Sequence, residues 1–293
     1  MKGLILVNAY VNTGDIAYQP ERLKEEFEKL GVKIDIKPNK FFPIEILDGN
    51  ISSSVCDYDF CIFLDKDKYV LKALEKTGIP LYNAYEPITV CDDKMLTIIE
   101  LANHGVKMPK TLPGLLCFDE RVEFDENCAD TVIEKLSLPV IVKECFGSLG
   151  KGVHLAKTRE ELISICKKVK GKPHLFQEFI SSSYGKDIRV IVIGSEAIGG
   201  ILRVSDKDFR SNISSGGHGE QIELSEKIKN EALKIAKLLN LKYCGMDFLI
   251  GADGEPLLCE VNSNAFFKGF EKVTGINVAK KYAKFIINDL KIN

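Results

Sequence analysis

The 293-residue sequence lacks long hydrophobic runs and a net charge of either sign. The opening apolar stretch, residues 4–7, ends at Asn8 and is too short for a signal peptide or a membrane span. The 40 basic residues are balanced by 42 acidic ones, which leaves a formal charge of -2. No sequence-wide positive field is therefore available to hold nucleic acid or an anionic membrane. We expect a cytoplasmic protein without nucleic-acid or membrane partners.

Signatures of structural zinc and of nucleophilic catalysis are also missing. The nine cysteines include no CxxC pair, and no histidine lies close enough to them to complete a zinc quartet. None of the four histidines belongs to a Ser-His-Asp or Cys-His signature. Most cysteines stand beside Val, Phe, Leu or Ile, which is typical of reduced, buried thiols in a cytosolic protein. Structural zinc is therefore disfavoured.

The amino-acid composition is typical of a globular protein. Hydrophobic residues make up 45% of it and charged residues 28%, which gives material for a core and room for about two domains. Apolar runs and amphipathic segments alternate from the start. They predict strands at 4–7, 32–36 and 60–64 and helices at 21–30 and 68–76. We expect residues 1–87 to form a small parallel α/β domain.

The remaining two thirds of the sequence follow a mixed α+β pattern without repeats or flexible linkers. A helix is predicted at about 92–103, with Met95, Ile98, Ile99 and Ala102 facing inward. Further helices are predicted at 159–169, 226–239 and 278–290. Strands are predicted at 138–143, 174–180, 187–193, 197–203, 245–250 and 256–261, with 187–193 and 197–203 antiparallel.

A glycine-rich segment follows the predicted strand that ends at Lys143. It contains three glycines together with a hydroxyl and a cation, namely Gly147, Ser148, Gly150, Lys151 and Gly152. Glycines allow backbone N–H groups to turn toward an anion, and the two lysines supply charge for phosphate oxygens. The Walker pattern GxxxxGK[ST] is absent. A plain turn explains the loop composition equally well.

A second group of polar residues interrupts two apolar strands near the end of the chain. Glu260 and Asn262 are two residues apart, so both side chains project from one face of a strand, and Asp247 on a neighbouring strand can meet them. Two carboxylates and an amide oxygen form a hard-oxygen site suited to Mg²⁺. The alternative is an ordinary solvent-facing sheet.

Basic residues form a third candidate group, which includes Arg189, Arg203 and Arg210 with the following Ser211 and Asn212. The planar guanidinium suits carboxylate and phosphoryl oxygens. Each arginine taken singly is more often a solvated surface charge.

Taken together, these motifs resemble those of ATP-grasp ligases of the RimK type. The resemblance covers residues 90–290 in the family's order and spacing. The motifs are Asp92-Asp93-Lys94, Lys143 before the glycine-rich loop, Gln177-Glu178-Phe179-Ile180, Asp187-Ile188-Arg189, Phe209-Arg210-Ser211-Asn212, Met246-Asp247 and Glu260-Val261-Asn262. The resemblance implies a two-lobed ATP-grasp module after the N-terminal α/β domain, with nucleotide between a central subdomain, 88–180, and a C-terminal subdomain, 181–293.

The resemblance also implies roles for individual residues. Mg²⁺ or Mn²⁺ would be held by Asp247, Glu260 and Asn262, while Arg203 and Arg210 would act on the reacting groups. ATP would be bound by Lys94, Lys143, Gly147, Ser148, Gly150, Lys151, Gly152, Gln177, Glu178, Phe179, Ile180, Asp187, Ser211 and Asn212. After Asn262 the chain departs from the bacterial ribosome-modifying members, because it lacks their Ser-Pro-Gly turn. Phe266 and Phe267 stand there instead, either lining an acceptor pocket or packing the next helix.

The implied activity is that of an ATP-dependent carboxylate-amine ligase which forms an amide or peptide bond through an acyl phosphate. Its substrates would be an amino acid, such as glutamate, and a carboxylate, and the acceptor stays open between a free metabolite, a cofactor and a peptide or protein tail. A homo-oligomer is compatible with the sequence. Two alternatives remain: an ATP-grasp kinase that phosphorylates a small molecule, and a nucleotide-binding module without ligase activity. The second becomes attractive only if the lysine and metal motifs do not share a cleft.

Overall fold

The computed structural model of the chain describes residues 1–10, 14–119, 121–148, 150–211 and 217–292. Three lobes follow one another, and each is built on its own sheet. The first sheet is parallel and the other two are antiparallel. The predicted combination of a parallel α/β domain with later α+β lobes is therefore confirmed.

The N-terminal sheet has the strand order β2-β1-β5-β6. Its strands are β1 (Lys2–Val7), β2 (Lys33–Pro38), β5 (Phe60–Leu64) and β6 (Leu81–Tyr82), with helices α1 (Asp15–Lys29) and α2 (Lys68–Lys76) between them. Helix α2 has its predicted bounds, because the carboxylate of Asp67 accepts from the N–H groups of Tyr69 and Val70. Helix α1 starts six residues before its predicted start at Glu21, since Gln19 and Pro20 are buried and extend the packed face.

A short hairpin, β3 (Ile44–Leu47) and β4 (Asn50–Ser53), lies between β2 and β5 and was not predicted. Its turn residues Asp48 and Gly49 both have positive φ, 50° and 77°. Asp-Gly is a favoured pair for the tight turn that fits two twisted antiparallel strands. The dipeptide was therefore a usable signal.

The helix predicted at 92–103 is wrong in its bounds and its buried face. Two helices occur instead, α3 (Tyr85–Asp92) and α4 (Lys94–Leu101). Asp93 between them is extended, and its carboxylate accepts from the N–H groups of Met95 and Leu96. The capping bonds start a new helix and rotate its face, so Leu101 is buried while Ile99 is 52% exposed.

The central sheet has the order β7-β10-β8-β9. Its strands are β7 (Thr111–Pro113), β8 (Val140–Glu144), β9 (Val153–Ala156) and β10 (His174–Glu178), with helices α5 (Asn127–Leu136) and α6 (Arg159–Val169). Both helices pack on the sheet around a core that contains Val140, Val142, Leu162 and Phe176. Helix α6 has its predicted bounds, whereas α5 was not predicted.

The C-terminal sheet has the order β13-β12-β11-β14-β15. Its strands are β11 (Lys186–Ile193), β12 (Glu196–Val204), β13 (His218–Ile222), β14 (Tyr243–Ile250) and β15 (Pro256–Asn262). Helices α7 (Glu226–Leu238), α8 (Lys268–Thr274) and α9 (Val278–Ile292) accompany them. The predicted antiparallel pairing of β11 with β12 is confirmed.

The two faces of this sheet have different neighbours. One face packs on α7 and also on Cys91 and Leu101, so α4 belongs to the core of the C-terminal sheet. The other face shares a single core with the N-terminal sheet, in which Phe27 and Phe60 join Ile191 and Tyr282. The division of the chain at 87 and 180 stays a prediction.

The nine cysteines are free thiols, of which Cys61, Cys91, Cys145, Cys166 and Cys244 are buried. Cys56 is exposed, so the expected burial does not hold for every cysteine. Over the described ranges, none of the helices combines the length and the apolar character needed to cross a membrane.

Candidate active site

A cleft separates the central sheet from the C-terminal sheet. The central lobe contributes β8, the glycine-rich loop and β10, and the C-terminal lobe contributes β11, β12, β14 and β15. The cleft offers about 110 Å³ of space that a water-sized molecule can occupy. Its lining includes Lys94, Lys143, Gly147, Ser148, Gly150, Lys151, Gln177, Glu178, Phe179, Ile180, Asp187, Arg203, Arg210, Ser211, Asp247 and Glu260. Residues from distant parts of the sequence thus meet at one place.

Lys143 is a buried cation on strand β8. Its Nζ donates to Oε1 of Gln177 on β10 at 2.7 Å, and the Gln177 amide donates to Thr111 Oγ1 on β7 at 2.9 Å. The ammonium also lies 3.6 Å from Sγ of Cys259, across the cleft. A chain of polar side chains through three strands therefore fixes the ammonium toward the C-terminal lobe.

Lys94 comes to the same cleft from the first turn of α4. Its Nζ donates to the carbonyl oxygens of Gly147, at 3.0 Å, and Cys145, at 3.4 Å. It also lies 3.9 Å from Oε1 of Glu260 on β15. Lys94 therefore connects the glycine-rich loop with a carboxylate of the opposite lobe.

The glycine-rich loop joins β8 to β9 and uses backbone angles that other residues rarely adopt. Gly147, Gly150 and Gly152 have φ of 124°, 73° and 74°. Arg210 of the C-terminal lobe donates from a terminal guanidinium nitrogen to the Gly150 carbonyl at 2.9 Å. The loop is thereby tied to the far side of the cleft.

Strand β10 leads into the segment that connects the two lobes. The N–H of Lys110 donates to Oε1 of Glu178 at 2.7 Å, and the N–H of Glu178 donates to the carbonyl of Lys110 at 2.9 Å. The Phe179 ring meets Phe209 edge-on at 6.4 Å between centroids. This end of the cleft is accordingly more apolar than the end at Lys94.

Two carboxylates and two guanidinium groups form a buried network on the C-terminal sheet. Arg203 donates to both oxygens of Asp187, at 2.6 and 2.5 Å, and approaches Asp247 at 2.8 Å. Arg189 donates to both oxygens of Asp247 at 2.7 Å, and Ser211 Oγ donates to Asp187. Burial alone would raise the pKa of Asp247, but the two guanidinium groups lower it to about 2. The network is charge-balanced and holds Asp247 ionised.

The three predicted metal ligands differ in their placement. Asp247 pairs with Glu260 across β14 and β15, and a bulge beside this pair brings Cys259 into the cleft lining. Asn262 pairs with Gly245, two residue pairs further along the same two strands. In the described part of the chain, no group of three His, Cys, Asp or Glu side chains is arranged to hold a metal. The oxygen donors suit a hard cation, and Glu260 is accessible to one, whereas Asp247 is engaged by arginines.

Some predicted site residues do not line the cleft. Gly152 and Asn262 are not among the described residues that line the cleft, and Asn212 lies outside the residues that the structure describes. Phe267 is fully buried in the core shared with the N-terminal sheet, so this ring packs the following helix. Phe209, which the sequence analysis named in a motif without a role, also lines the cleft. So do residues that were not predicted: Ile141, Val153, Ser183, Lys186, Leu249 and Cys259.

Comparison with known proteins assigns the arrangement to a family. The model of the RimK-like ATP-grasp domain matches residues 91–286. The chain belongs to the RimK-like ATP-grasp family. This range contains every cleft-lining residue named above, so the family assignment and the cleft concern the same part of the molecule.

Two curated relatives of this RimK-like chain carry glutamate in their names. Human N-acetylaspartylglutamate synthase A is 35% identical over 261 residues, which cover 88% of this chain and 63% of the relative. Zebrafish (Danio rerio) β-citrylglutamate synthase B is 38% identical over 226 residues, which cover 76% of this chain and 54% of the relative. The chain therefore spans less than two thirds of the length of either relative.

A solved structure supports the fold over the whole RimK-like chain. ATP-grasp ligase PsnB, complexed with minimal precursor, Mg and ADP, superposes with a TM-score of 0.72. The match covers 99% of this chain and 98% of PsnB at 18% sequence identity. The predicted ATP-grasp fold and the predicted family are confirmed.

Proposed function

We propose that the protein is an ATP-dependent carboxylate-amine ligase that joins glutamate, or a similar amino acid, to a carboxylate through an acyl phosphate. The observation that carries this proposal is the convergence of Lys94, Lys143 and Glu260 on one cleft under a glycine-rich loop. The family assignment supports ATP as the phosphoryl donor. The N-terminal and C-terminal lobes would supply the walls of the substrate pockets.

The charges in the cleft suit the first half of such a reaction. A carboxylate oxygen that attacks the γ-phosphate is an anion approaching an anion, so fixed positive charge has to be in place beforehand. Lys143 and Lys94 are two such charges, and each is oriented by hydrogen bonds to protein groups. We assign the phosphate end of the nucleotide to these lysines and the base to the segment at Phe179.

The second half of the reaction needs donors for an oxyanion and protection from water. Arg203 is buried and rigidly held, while Arg210 spans from the C-terminal lobe to the glycine-rich loop. A preorganised donor contributes about 3 kcal/mol to the stabilisation of a developing oxyanion. Closure of the loop through Arg210 would also keep water from hydrolysing the acyl phosphate.

A divalent cation in the cleft would be held by Glu260, with Asp247 as a further ligand if an arginine releases it, whereas Asn262 does not line the cleft. When bound, Mg²⁺ or Mn²⁺ would supply Lewis-acid neutralisation of phosphate charge.

The choice of glutamate is supported by the relatives. Both names describe a glutamate joined to an acidic compound, acetylaspartate in one case and citrate in the other. We therefore propose that the carboxylate partner of this chain is itself acidic.

The test is a screen for ADP release with pairs of amino acids and small carboxylic acids, followed by mass detection of the condensed product. We expect ADP release that requires both reactants. Hydroxylamine in place of the amine should trap the activated acid as a hydroxamate.

Two results would contradict the ligase. ADP release with a stable phosphorylated product and no need for an amine would identify a kinase instead. Nucleotide binding without turnover for any pair would favour a binding module.

A further inference from the structure

The side-chain amide of Asn83 connects the N-terminal lobe to the C-terminal sheet. The residue lies between β6 and α3 and is 1% exposed. Its amide N–H groups donate to the carbonyl oxygens of Tyr243 and Ser263, both at 2.8 Å. Its carbonyl oxygen accepts from the backbone N–H groups of Lys242, at 2.8 Å, and Tyr243, at 3.2 Å. The amide therefore uses both donors and both acceptor positions on backbone groups of the other lobe.

These bonds lie at the place where the pairing of β14 with β15 ends. The register of the two strands ends at Gly245 and Asn262. Beyond this pair, Asn83 bonds to Tyr243 on one side and to Ser263 on the other. A side-chain amide has the donor and acceptor groups of a peptide bond, so it continues the ladder by one further step. The end of β15 is consequently held by a residue of the N-terminal lobe.

The turn that follows β15 has further hydrogen bonds to its surroundings. The Asn264 side chain donates to the backbone carbonyl of Asp65, directly after β5, at 3.3 Å. The Tyr243 hydroxyl donates to the carbonyl of Ala265 at 2.6 Å. The sequence of residues 262–267 contains no proline that would restrict the backbone angles. Hydrogen bonds to the N-terminal lobe and to β14 therefore determine the course of the chain after β15.

Strand β15 also carries Glu260, the carboxylate that is assigned to the divalent cation. The Glu260 side chain is 30% exposed, and its Oε1 lies 3.9 Å from Nζ of Lys94, beyond hydrogen-bonding distance. The position of this carboxylate consequently depends on the backbone of β15 more than on side-chain contacts. Binding groups have to stay within about 0.5 Å of their productive geometry. A shift at the end of β15 would therefore reach the cleft.

A hydrogen bond between the two lobes does not have to involve this strand. The neighbouring Tyr82 donates its hydroxyl to Asp289 on α9 at 2.7 Å, and apolar side chains of both lobes share one core. Asn83 differs from these contacts because one of its donors reaches the end of the strand that carries Glu260.

We propose that Asn83 is a positioning residue for the cleft, which fixes the end of β15 from the N-terminal lobe and thereby holds Glu260 toward a bound divalent cation. This inference rests on the proposed function, in which Glu260 is the accessible cation ligand. Asn83 acts through the backbone of Ser263 and not on the reacting groups. The N-terminal lobe then contributes to cation binding in the cleft as well as to the stability of the fold.

The test is a titration of the full chain with a nonhydrolysable ATP analogue, with and without Mg²⁺, at a temperature at which circular dichroism shows each variant to be folded. We expect Mg²⁺ to tighten analogue binding to the unsubstituted chain. In Asn83→Ala this enhancement should fall about tenfold, the lower end of the loss that follows removal of a group that orients a metal ligand. The affinity without Mg²⁺ should be unchanged. Glu260→Gln, as a reference, should lose the enhancement as well.

The matched control is Tyr82→Phe, at the adjacent residue. It removes a hydrogen bond between the same two lobes and leaves Asp289 paired with Lys242. Its free energy of unfolding should fall, while its Mg²⁺ enhancement should equal that of the unsubstituted chain. If Asn83→Ala does not fold, Asn264→Ala replaces it, because this substitution removes the other bond between the turn and the N-terminal lobe. The enhancement in Asn264→Ala should then be below that of Tyr82→Phe.

Three results would overturn the proposal. The first is an Mg²⁺ enhancement in Asn83→Ala, or in Asn264→Ala where it replaces this variant, that equals the enhancement in Tyr82→Phe. The second is an equal loss of analogue affinity with and without Mg²⁺, which would show that Asn83 maintains the cleft as a whole. The third is analogue binding by the unsubstituted chain that does not respond to Mg²⁺.

Failure of the ligase assignment is distinguishable from these results, because the titration needs no turnover. A chain with the expected Mg²⁺ responses that releases no ADP with any reactant pair would retain the positioning role of Asn83 and lose the ligase assignment. A chain that ligates, but in which Asn83→Ala and Tyr82→Phe have equal Mg²⁺ enhancement, would retain the ligase and lose the positioning role.

Discussion

The C-terminal sheet meets its two neighbouring lobes in opposite ways. Toward the N-terminal lobe it forms a continuous apolar core, where aromatic side chains of the two lobes contact each other, as Tyr18 with Phe267 and Tyr82 with Phe285. Toward the central lobe it presents charged side chains across a cleft, and the central lobe keeps a core of its own. The first interface is suited to holding two lobes as one body. The second is suited to opening and to chemistry.

This difference indicates that the apolar interface stabilises the fold, whereas the charged cleft is available to bind ligands. Buried apolar area stabilises without requiring a particular ligand, whereas a charged cleft is costly to close unless its groups are paired. Three buried charged residues of the cleft, Asp187, Arg203 and Asp247, are paired with one another, and Arg189 completes the network. Its more accessible charges, such as Glu260, then remain for ligands.

The largest expected effect belongs to the shared core. Phe27→Ala should lower the free energy of unfolding by about 3–5 kcal/mol, because it opens a cavity beside Phe60. Hydrogen exchange should accelerate in β1 and in β11 together. Phe118→Ala, at a position that is 95% exposed, is the control. Accelerated exchange in β1 alone would show that the two lobes unfold separately.

The second largest effect is expected on turnover, from a substitution in the cleft that leaves the stability of the fold nearly unchanged. Glu260→Gln should reduce turnover on the order of 100-fold, since it removes a negative charge from the proposed cation site. The free energy of unfolding should change by less than about 1 kcal/mol, because Glu260 is partly exposed. Glu255→Gln, just before the same strand, breaks surface ion pairs with Lys107 and Lys227 and should leave turnover intact. Unchanged turnover in Glu260→Gln would remove this residue from the site.

The carboxyl group of Glu26 lies at the interface between the N-terminal and C-terminal lobes, where Asn277 donates to it. The pH dependence of stability therefore tests this interface. Glu26 is buried, and although burial favours its neutral form, bonds from Lys29, Asn277 and Arg22 lower its pKa below 4.5. A carboxyl group whose pKa is lowered by folding contributes stability above its unfolded pKa, and this contribution is lost as the pH falls through the lowered pKa of the folded state. Glu26→Gln should therefore cost about 1–3 kcal/mol at pH 7, and the difference from the unsubstituted protein should shrink as the pH falls through that lowered value. Chemical denaturation over a series of pH values from 7 downward measures the difference, and a difference that stays constant until the protein unfolds would contradict the expectation.

The smallest effect is expected from loss of the hydrogen bond by which Arg210 connects the C-terminal lobe to the glycine-rich loop. Arg210→Ala removes one hydrogen bond to the Gly150 carbonyl, which is worth about 1 kcal/mol. Hydrogen exchange in the glycine-rich loop should rise several-fold, with no change in the shared core. Arg121→Ala, which breaks an exposed ion pair with Asp119, is the control. Equal exchange in Arg210→Ala and this control would mean that the loop is not held by Arg210.

The sequence predicted elements best where a local signal and the packing agreed. Strand β5 has its predicted bounds because an apolar run marks it. Helices α2 and α6 have their predicted bounds because the capping residues Asp67 and Thr158 mark their starts. The break at Asp93 was missed because apolar residues continue across it, and only the capping geometry divides α3 from α4. Helix α5 was missed because its first half is polar and its packing on the central sheet is a tertiary effect.

The candidate site was predictable where its residues are neighbours in sequence or share a strand. Lys143 and the glycine-rich loop are contiguous, and Glu260 stands on the same strand as Asn262. The network of Asp187, Arg203, Asp247 and Arg189 was not predictable, because it depends on the register between strands β11, β12 and β14. The entry of Cys259 into the cleft likewise depends on a bulge.

The small volume of the cleft has a consequence for the rate of the proposed reaction. Pockets for small molecules and cofactors usually measure about 300–1,000 Å³, and the cleft offers about 110 Å³. The nucleotide of the proposed reaction would therefore need the central lobe to move away from the C-terminal sheet in order to enter and leave. Such a movement displaces solvent, so added glycerol or sucrose should slow turnover if product escape, rather than bond formation, limits it.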